Sequence, residues 1–145
     1  MSVAVTEVRS IIDGLRPTAL DRLGLPDAIR RHASTVSTSV PVRVDAADLP
    51  TLPPTVENAA YRITTEALTN AARHARAGAV QVTLAAADGA LELTVSDDGC
   101  GVGGAEAGVG LTSMRRRAET LGGRLGLSSG PTGTTITATL PLEQP

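Results

Sequence analysis

This chain of 145 residues has no tryptophan and no phenylalanine, and Tyr61 is its single tyrosine. The core must therefore be built from aliphatic side chains. With 41% of residues hydrophobic, enough of them are present for one domain to fold. Cys100 is the only cysteine, which excludes an intramolecular disulfide and a cysteine cluster for zinc. No apolar run approaches the roughly 20 residues that cross a bilayer. The opening Met1-Ser2-Val3-Ala4-Val5-Thr6-Glu7 lacks the basic and apolar regions of a signal peptide. A soluble cytoplasmic domain is expected, alone or as part of a membrane-bound parent. The formal charge of −2 provides no broad field for nucleic acid, so no such partner is expected. There is no G-x-x-x-x-G-K-[ST] P-loop, and cations for phosphate come from arginine. Gly99-Cys100-Gly101-Val102-Gly103-Gly104 matches the dinucleotide fingerprint G-x-G-x-x-G, a weak signal alone. Its context is expected to fail, because Ala105-Glu106-Ala107-Gly108 is read as continuing the loop.

Periodicity organises the rest. Val5, Val8, Ile11, Ile12 and Leu15 recur at helical spacing up to the break at Pro17. A second helix restarts at Gly24-Leu25-Pro26 and runs to about Ala33. Val40-Pro41-Val42-Arg43-Val44 is expected as an edge strand, since proline is tolerated there. Thr55 is the expected N-cap of a long helix from Val56 to about Arg76. Val80–Leu84 and Leu91–Val95 alternate as half-buried strands, joined by the hairpin signal Asp88-Gly89. A glycine-rich loop follows, then a helix from about Leu111 to Leu121 that stops at Gly122-Gly123. Arg124–Ser128 and Thr134–Leu140 close the chain as strands, turned by Gly130-Pro131-Thr132-Gly133. The expected fold class is α/β, a two-layer sandwich of a mixed, mostly antiparallel sheet with helices on one face.

Two features carry chemistry. Ser96-Asp97-Asp98-Gly99-Cys100-Gly101 sets an acid at a strand end and opens a segment rich in glycine up to Gly110. A carboxylate there can accept hydrogen bonds from a base, and exposed backbone N–H groups can wrap an anionic tail, which makes a nucleotide the leading ligand. A flexible surface loop has the same glycines. The second feature is Glu66, Asn70, Arg73 and His74, spaced to share one stripe of the long helix. Oxygen ligands from Asn70 and Glu66 suit Mg²⁺, which keeps several waters, and Arg73 and His74 suit phosphate. Ile63, Ala67 and Ala71 are expected on the opposite, core-facing stripe. A solvated polar face fits the same four residues, and the residues alone leave both open.

Taken together, these segments resemble the catalytic and ATP-binding domain of sensor histidine kinases, in the ATPase superfamily shared with gyrase, Hsp90 and MutL. Tyr61 to Ala75, with Glu66 and Asn70, resembles the N box. Asp97-Asp98-Gly99-Cys100-Gly101 resembles the D-x-G-x-G box, Gly108-Val109-Gly110-Leu111 the G-x-G-L box, and Gly133-Thr134-Thr135 the closing GT element. Leu15-Arg16-Pro17, Leu23-Gly24-Leu25 and the run from Gly110 to Gly123 resemble the nitrate-sensor-like branch, which has a short lid.

The resemblance implies a Bergerat-type fold binding ATP and Mg²⁺. Asp97 would accept from the adenine amino group, and Gly99 and Gly101 would admit the base. Asn70 would coordinate Mg²⁺ with Glu66 positioning the metal or its water. Arg73 and His74 would neighbour the phosphates, Gly108, Gly110 and Leu111 would form the lid hinge and phosphate contact, and Thr135 would line the adenine pocket. Residues 1–35 would be a remnant of the dimerisation-helix region and junction, and 36–145 the catalytic domain. The phosphoacceptor histidine is missing: His74 belongs to the N box, and His32 is read as an ordinary surface histidine. The partner is then a phosphoacceptor dimerisation domain on another segment, with a response regulator reached through the parent kinase and this piece monomeric. A serine kinase of the anti-sigma-factor type and a non-catalytic nucleotide-binding module are the alternatives.

Overall fold

The computed structural model describes residues 18–36, 40–74, 78–98, 104–130 and 133–143, with backbone alone at 19, 73–74 and 104–110. The helix expected over Val5–Leu15, the Leu15-Arg16-Pro17 junction and the Pro131-Thr132 tip lie outside these residues. A short helix α1 (Thr18–Leu23), absent from the sequence expectation, comes first. Gly24 ends it at φ 81°, and its N–H donates to the Leu20 carbonyl at 3.1 Å, a left-handed cap that suits glycine. Helix α2 (Leu25–Val36) follows at once and outruns its expected end by three residues.

Strand β1 (Val42–Ala46) leads to the 21-residue helix α3 (Pro54–His74). The helix begins at Pro54, so Thr55 is inside the first turn and not its N-cap. Proline suits the first helical position, where its missing N–H leaves nothing unpaired, and the Glu57 N–H closes the first turn on the Pro53 carbonyl at 3.0 Å. Strands β2 (Val80–Ala87) and β3 (Ala90–Asp97) form a hairpin in which Asp88 and Gly89 take φ 54° and 75°. Both positive angles define the turn whose twist matches the strands. Helix α4 (Gly104–Thr120) starts seven residues before Leu111, so Gly108 and Gly110 are helical and do not belong to a loop. Ala105, Glu106 and Ala107 are strong helix formers and carry the turn through glycines that each cost about 1 kcal/mol. A helix therefore does follow the G-x-G-x-x-G match. Dinucleotide binding still finds no support, because β3 runs antiparallel to both neighbours and forms no parallel β-α-β unit.

Strands β4 (Arg124–Gly130) and β5 (Gly133–Pro141) complete a five-stranded sheet of order β1-β2-β3-β5-β4. Only β1–β2 is parallel, the other three pairs being antiparallel. A parallel pair needs a crossover, and α3 supplies it, which lays this helix over the sheet. Helix α3 packs on β2, β3 and β5, α4 on β4 and β5, and α2 on β1 and α3. Helices α2, α3 and α4 thus cover one face. Leu91, Leu93 and Val95 of β3 and Ile136, Ala138 and Leu140 of β5 are buried beneath them, in one core with Leu25, Ile29, Ile63, Leu68 and Met114. Burying each large aliphatic side chain contributes about 1.5–3 kcal/mol, which makes up for the missing aromatics.

His32 departs from the surface role expected of it. It is half-buried on α2, its ring meets Tyr61 of α3 edge-on with centroids 6.4 Å apart, and its Nε2 is buried without a hydrogen-bond partner. Burial lowers its pKa. Among the described residues, no helix is long and apolar enough to cross a membrane.

Candidate nucleotide site

Side chains alternate between the faces of a strand, so parity assigns each residue to the covered or the open side. On β3 the buried positions are 91, 93 and 95, and Asp97, half-buried, continues that row at the strand end. On β5 they are 134, 136, 138 and 140. Asp97 pairs with Val80 of β2 on one side and Thr134 of β5 on the other. Thr134 is only 4% exposed and shares a 3.1 Å hydroxyl contact with Ser129 of β4. Val80, Asp97, Thr134 and Ser129 therefore form a cross-strand row on the helix-covered face, just beyond the apolar row of Val82, Val95 and Ile136. Thr135 lies on the other face, where its Oγ1 is 3.1 Å from Ser96 Oγ. It does not share a side of the sheet with Asp97.

Close backbone packing holds the row together. Gly133 sits at φ 146°, and a Cβ there would lie 2.1 Å from the Asp97 carbonyl oxygen. Only glycine lets β5 begin this close to the end of β3. Asp98 acts on the other side of the sheet end. Its Oδ1 accepts from the N–H groups of Ala79 and Gly78, at 2.9 and 2.7 Å, which ties the connection after α3 to β3. Those two backbone donors, Ala79 first, hold the Asp98 carboxyl below its ordinary pKa. Asp98 thus secures the chain path, while its neighbour Asp97 faces the helices.

That tie also locates the end of α3. Only five residues separate His74 from Val80, and Gly78 and Ala79 are pinned beside Asp98. The last turns of α3 therefore lie at the same end of the sheet as Asp97. Around the helix, Asn70 follows Ile63 by seven residues, a rotation of only about 20°. Ile63, Ala67 and Ala71 are buried as expected, but Asn70 and Glu66 flank that same face and do not stand opposite it. Both are half-buried. The stripe continues the packed face of α3 past the end of the apolar core. Glu66 and Asn70 thus sit one turn apart on the covered side of the sheet, at the Asp97 end.

Arg73 and His74 occupy the last turn of α3, their side chains outside the described residues. Gly99 and Gly101 also lie outside them, as does Cys100. Gly108 and Gly110 are in the first turns of α4, and Leu111, half-buried, packs against the core. Met114 is buried, whereas Arg115 and Arg116 are exposed and Arg117 half-buried. One depression lies at this end of the sheet, and a larger groove lies toward the other end of α3. The depression, of about 540 Å³, is bordered by Asp97, Ser96, Gln81, Arg43 and Asp98 without Glu66 or Asn70, and so flanks the sheet end. The groove, of about 720 Å³ between the start of α3 and α4, contains none of the expected site residues.

The alternation of Ile136, Ala138 and Leu140 assigns Thr134 to the inward parity, beside Asp97. Strand β4 runs two residues past its expected end at Ser128, which brings Ser129 into the sheet.

The geometry defines an α/β two-layer domain with an acid at a strand end facing a polar helix end. The chain belongs to the family of histidine kinase-, DNA gyrase B- and HSP90-like ATPases, whose model matches residues 55–144. The sensor histidine kinase MctS of Rhizobium johnstonii is 35% identical over 95% of this chain and 32% of its own length. The sensor histidine kinase NarS of Mycobacterium tuberculosis is 30% identical over 90% of this chain and 32% of its own. The chain thus spans about a third of each of these relatives. Among solved structures, the histidine kinase domain of the Erythrobacter litoralis EL346 blue-light activated kinase superposes with a TM-score of 0.69. It is 29% identical, over 81% of this chain and 65% of that one.

Proposed function

We propose that this domain binds Mg²⁺-ATP between the covered face of the sheet and the end of α3, and donates the γ-phosphoryl group to a histidine on another segment. The observation that carries it is the placement of Asp97 and Asn70 on one side and at one end of the sheet. Asp97 accepts from the purine amino group. Guanine presents a carbonyl oxygen at that position, which a carboxylate does not bind. Thr134, one residue before the threonine expected from sequence, shares the purine end with Asp97. Asn70 and Glu66 serve the triphosphate end.

The donor set fits magnesium. Mg²⁺ is usually held by one or two protein oxygens together with phosphates and water, not by an all-protein cage. Two half-buried oxygen ligands one helical turn apart meet that description. The ion would neutralise charge on the phosphate tail. Arg73, His74 and the first turns of α4, with Gly108 and Gly110, would meet the rest of that tail, and Gly99 and Gly101 would admit the base. Phosphoryl transfer asks mostly for positioning and charge neutralisation, which such a site supplies.

The acceptor histidine and its dimerisation domain, and the response regulator downstream, belong to the parent kinase in this proposal. Residues 1–35 would be the remnant of its dimerisation-helix region and junction, and the domain is cytoplasmic and monomeric by itself in the same proposal. The nitrate-sensor-like branch rests on Leu23-Gly24-Leu25 and the run after Gly110. Thermal denaturation tests nucleotide binding directly, since a ligand held only by the folded state raises the midpoint. Mg²⁺-ATP should raise it and Mg²⁺-GTP should not; equal shifts, or none, refute the assignment. In calorimetry, Asn70→Ala should abolish the magnesium-dependent part of ATP affinity.

A further inference from the structure

We propose that the groove between α3 and α4 is a second binding site, for a compact amphipathic carboxylate that also carries a hydrogen-bond donor. The groove holds about 720 Å³, a volume typical of small-molecule sites, and lies between two packed helices, a common place for them. Asn58 and Ala59 line it from α3, and Arg116, Arg117 and Leu121 line it from α4 and the turn that follows. It stands apart from the nucleotide site proposed above. Asn58 precedes Glu66 by eight residues and Asn70 by twelve, about 12 and 18 Å along the helix axis. The end of α4 is anchored far from Asp97 as well. A Cβ on Gly123 would lie 2.1 Å from the carbonyl oxygen of Thr139, five residues along β5 from Thr134.

Three features define the ligand. The first is charge. The chain has a formal charge of −2, yet the lining of the groove contains two arginines and neither aspartate nor glutamate. Thr55, in the first turn of α3, brings the positive end of that helix dipole to the same groove. A carboxylate meets a guanidinium through charge-assisted hydrogen bonds, often in pairs. The second feature is an unmet acceptor. Asn58 Oδ1 is buried and has no hydrogen-bond partner. Few buried acceptors stay unpaired, and a ligand hydroxyl or N–H satisfies this one. The third is the apolar wall. Ala59 is buried and Leu121 half-buried, which suits an apolar body on the ligand. Arg115 and Glu119, also on α4, are outside the lining.

The test titrates 3-(4-hydroxyphenyl)propanoate into the full chain, isotope-labelled, and follows its backbone amide resonances. Saturable shifts should cluster at Asn58, Ala59 and residues 112–121, and should persist with Mg²⁺-ATP in excess. The methyl ester of the probe lacks the charge, and 3-phenylpropanoate lacks the donor. Each should bind about fivefold more weakly than the probe. Arg116→Ala should weaken the probe about fivefold and leave the ester unchanged, whereas Arg115→Ala should alter neither. Asn58→Leu should remove the advantage of the probe over 3-phenylpropanoate. Shifts centred on Asp97 and Thr134, or displacement by Mg²⁺-ATP, would put the probe in the nucleotide site and overturn the proposal. An ester that binds as well as the acid overturns it, as does 3-phenylpropanoate binding as well as the probe, which would show that water and not a ligand meets Asn58. The absence of any saturable shift in the groove overturns it outright. None of these outcomes bears on nucleotide binding, which titration with ATP reads separately.

Discussion

The two faces of the sheet use nearly the same residues at the Asp97 end and use them differently. On the open face Gln81, Ser96, Thr135 and Ser128 stand in register, and the Gln81 amide donates to Asp45, which also pairs with Arg43. On the covered face Val80, Asp97, Thr134 and Ser129 stand one residue over. Both rows contain a hydroxyl pair at 3.1 Å. On the open row Gln81, Ser96 and Thr135 are half-buried and Ser128 is exposed. On the covered row Val80 and Thr134 are buried, Asp97 is half-buried and Ser129 at the edge is exposed, and a buried polar group without a partner costs about 1–3 kcal/mol. The lesson is that one step along a strand separates the half-buried hydroxyl of Thr135 on one face from the buried hydroxyl of Thr134 on the other.

Mutations sharpen that contrast, and the largest effect should come from the joint between the rows. Gly133→Ala forces a Cβ into the Asp97 carbonyl at an angle that L residues avoid. It should cost about 3 kcal/mol in chemical denaturation. A wild-type midpoint in Gly133→Ala would show that β5 can shift away from β3. Next comes Asp97→Ala, expected to weaken ATP by about 100-fold, the upper range for a hydrogen bond to a charged group. Titration reads it, and an unaltered Kd removes Asp97 from the site.

The direct comparison of faces is Thr134→Val against Thr135→Val. The first should weaken ATP about fivefold and the second by less than about twofold, measured side by side. Equal losses would erase the distinction between the rows. The smallest effect belongs to Asp98→Asn. The Asp98 pKa is lowered in the folded chain, so its carboxylate adds stability that is present above its unfolded pKa and lost as pH falls through the folded one. Asp98→Asn should therefore melt slightly below wild type at neutral pH, and the two melting curves should converge in acid. A gap that stays constant with pH would locate its cause outside the carboxylate. His32 shifts stability in the same direction, since its lowered pKa favours the neutral ring: the contribution is full above the unfolded value and lost as pH falls.

Much of this protein was decided by local chemistry. Alternation of apolar residues defined the strands and their inward parity, Asp88-Gly89 defined the hairpin, and the spacing of Glu66 and Asn70 placed them one turn apart. These follow from backbone geometry, which any chain obeys before it packs. Three matters needed the tertiary structure. The start of α4 at Gly104 overrides glycine's weak helix propensity. The half-burial of His32 depends on α3 lying against α2. The division of labour between Asp97 and Asp98 depends on which face α3 covers and where its connection to β2 returns. Each is settled by contacts between segments distant in sequence, and no local pattern encodes which neighbour a side chain will meet.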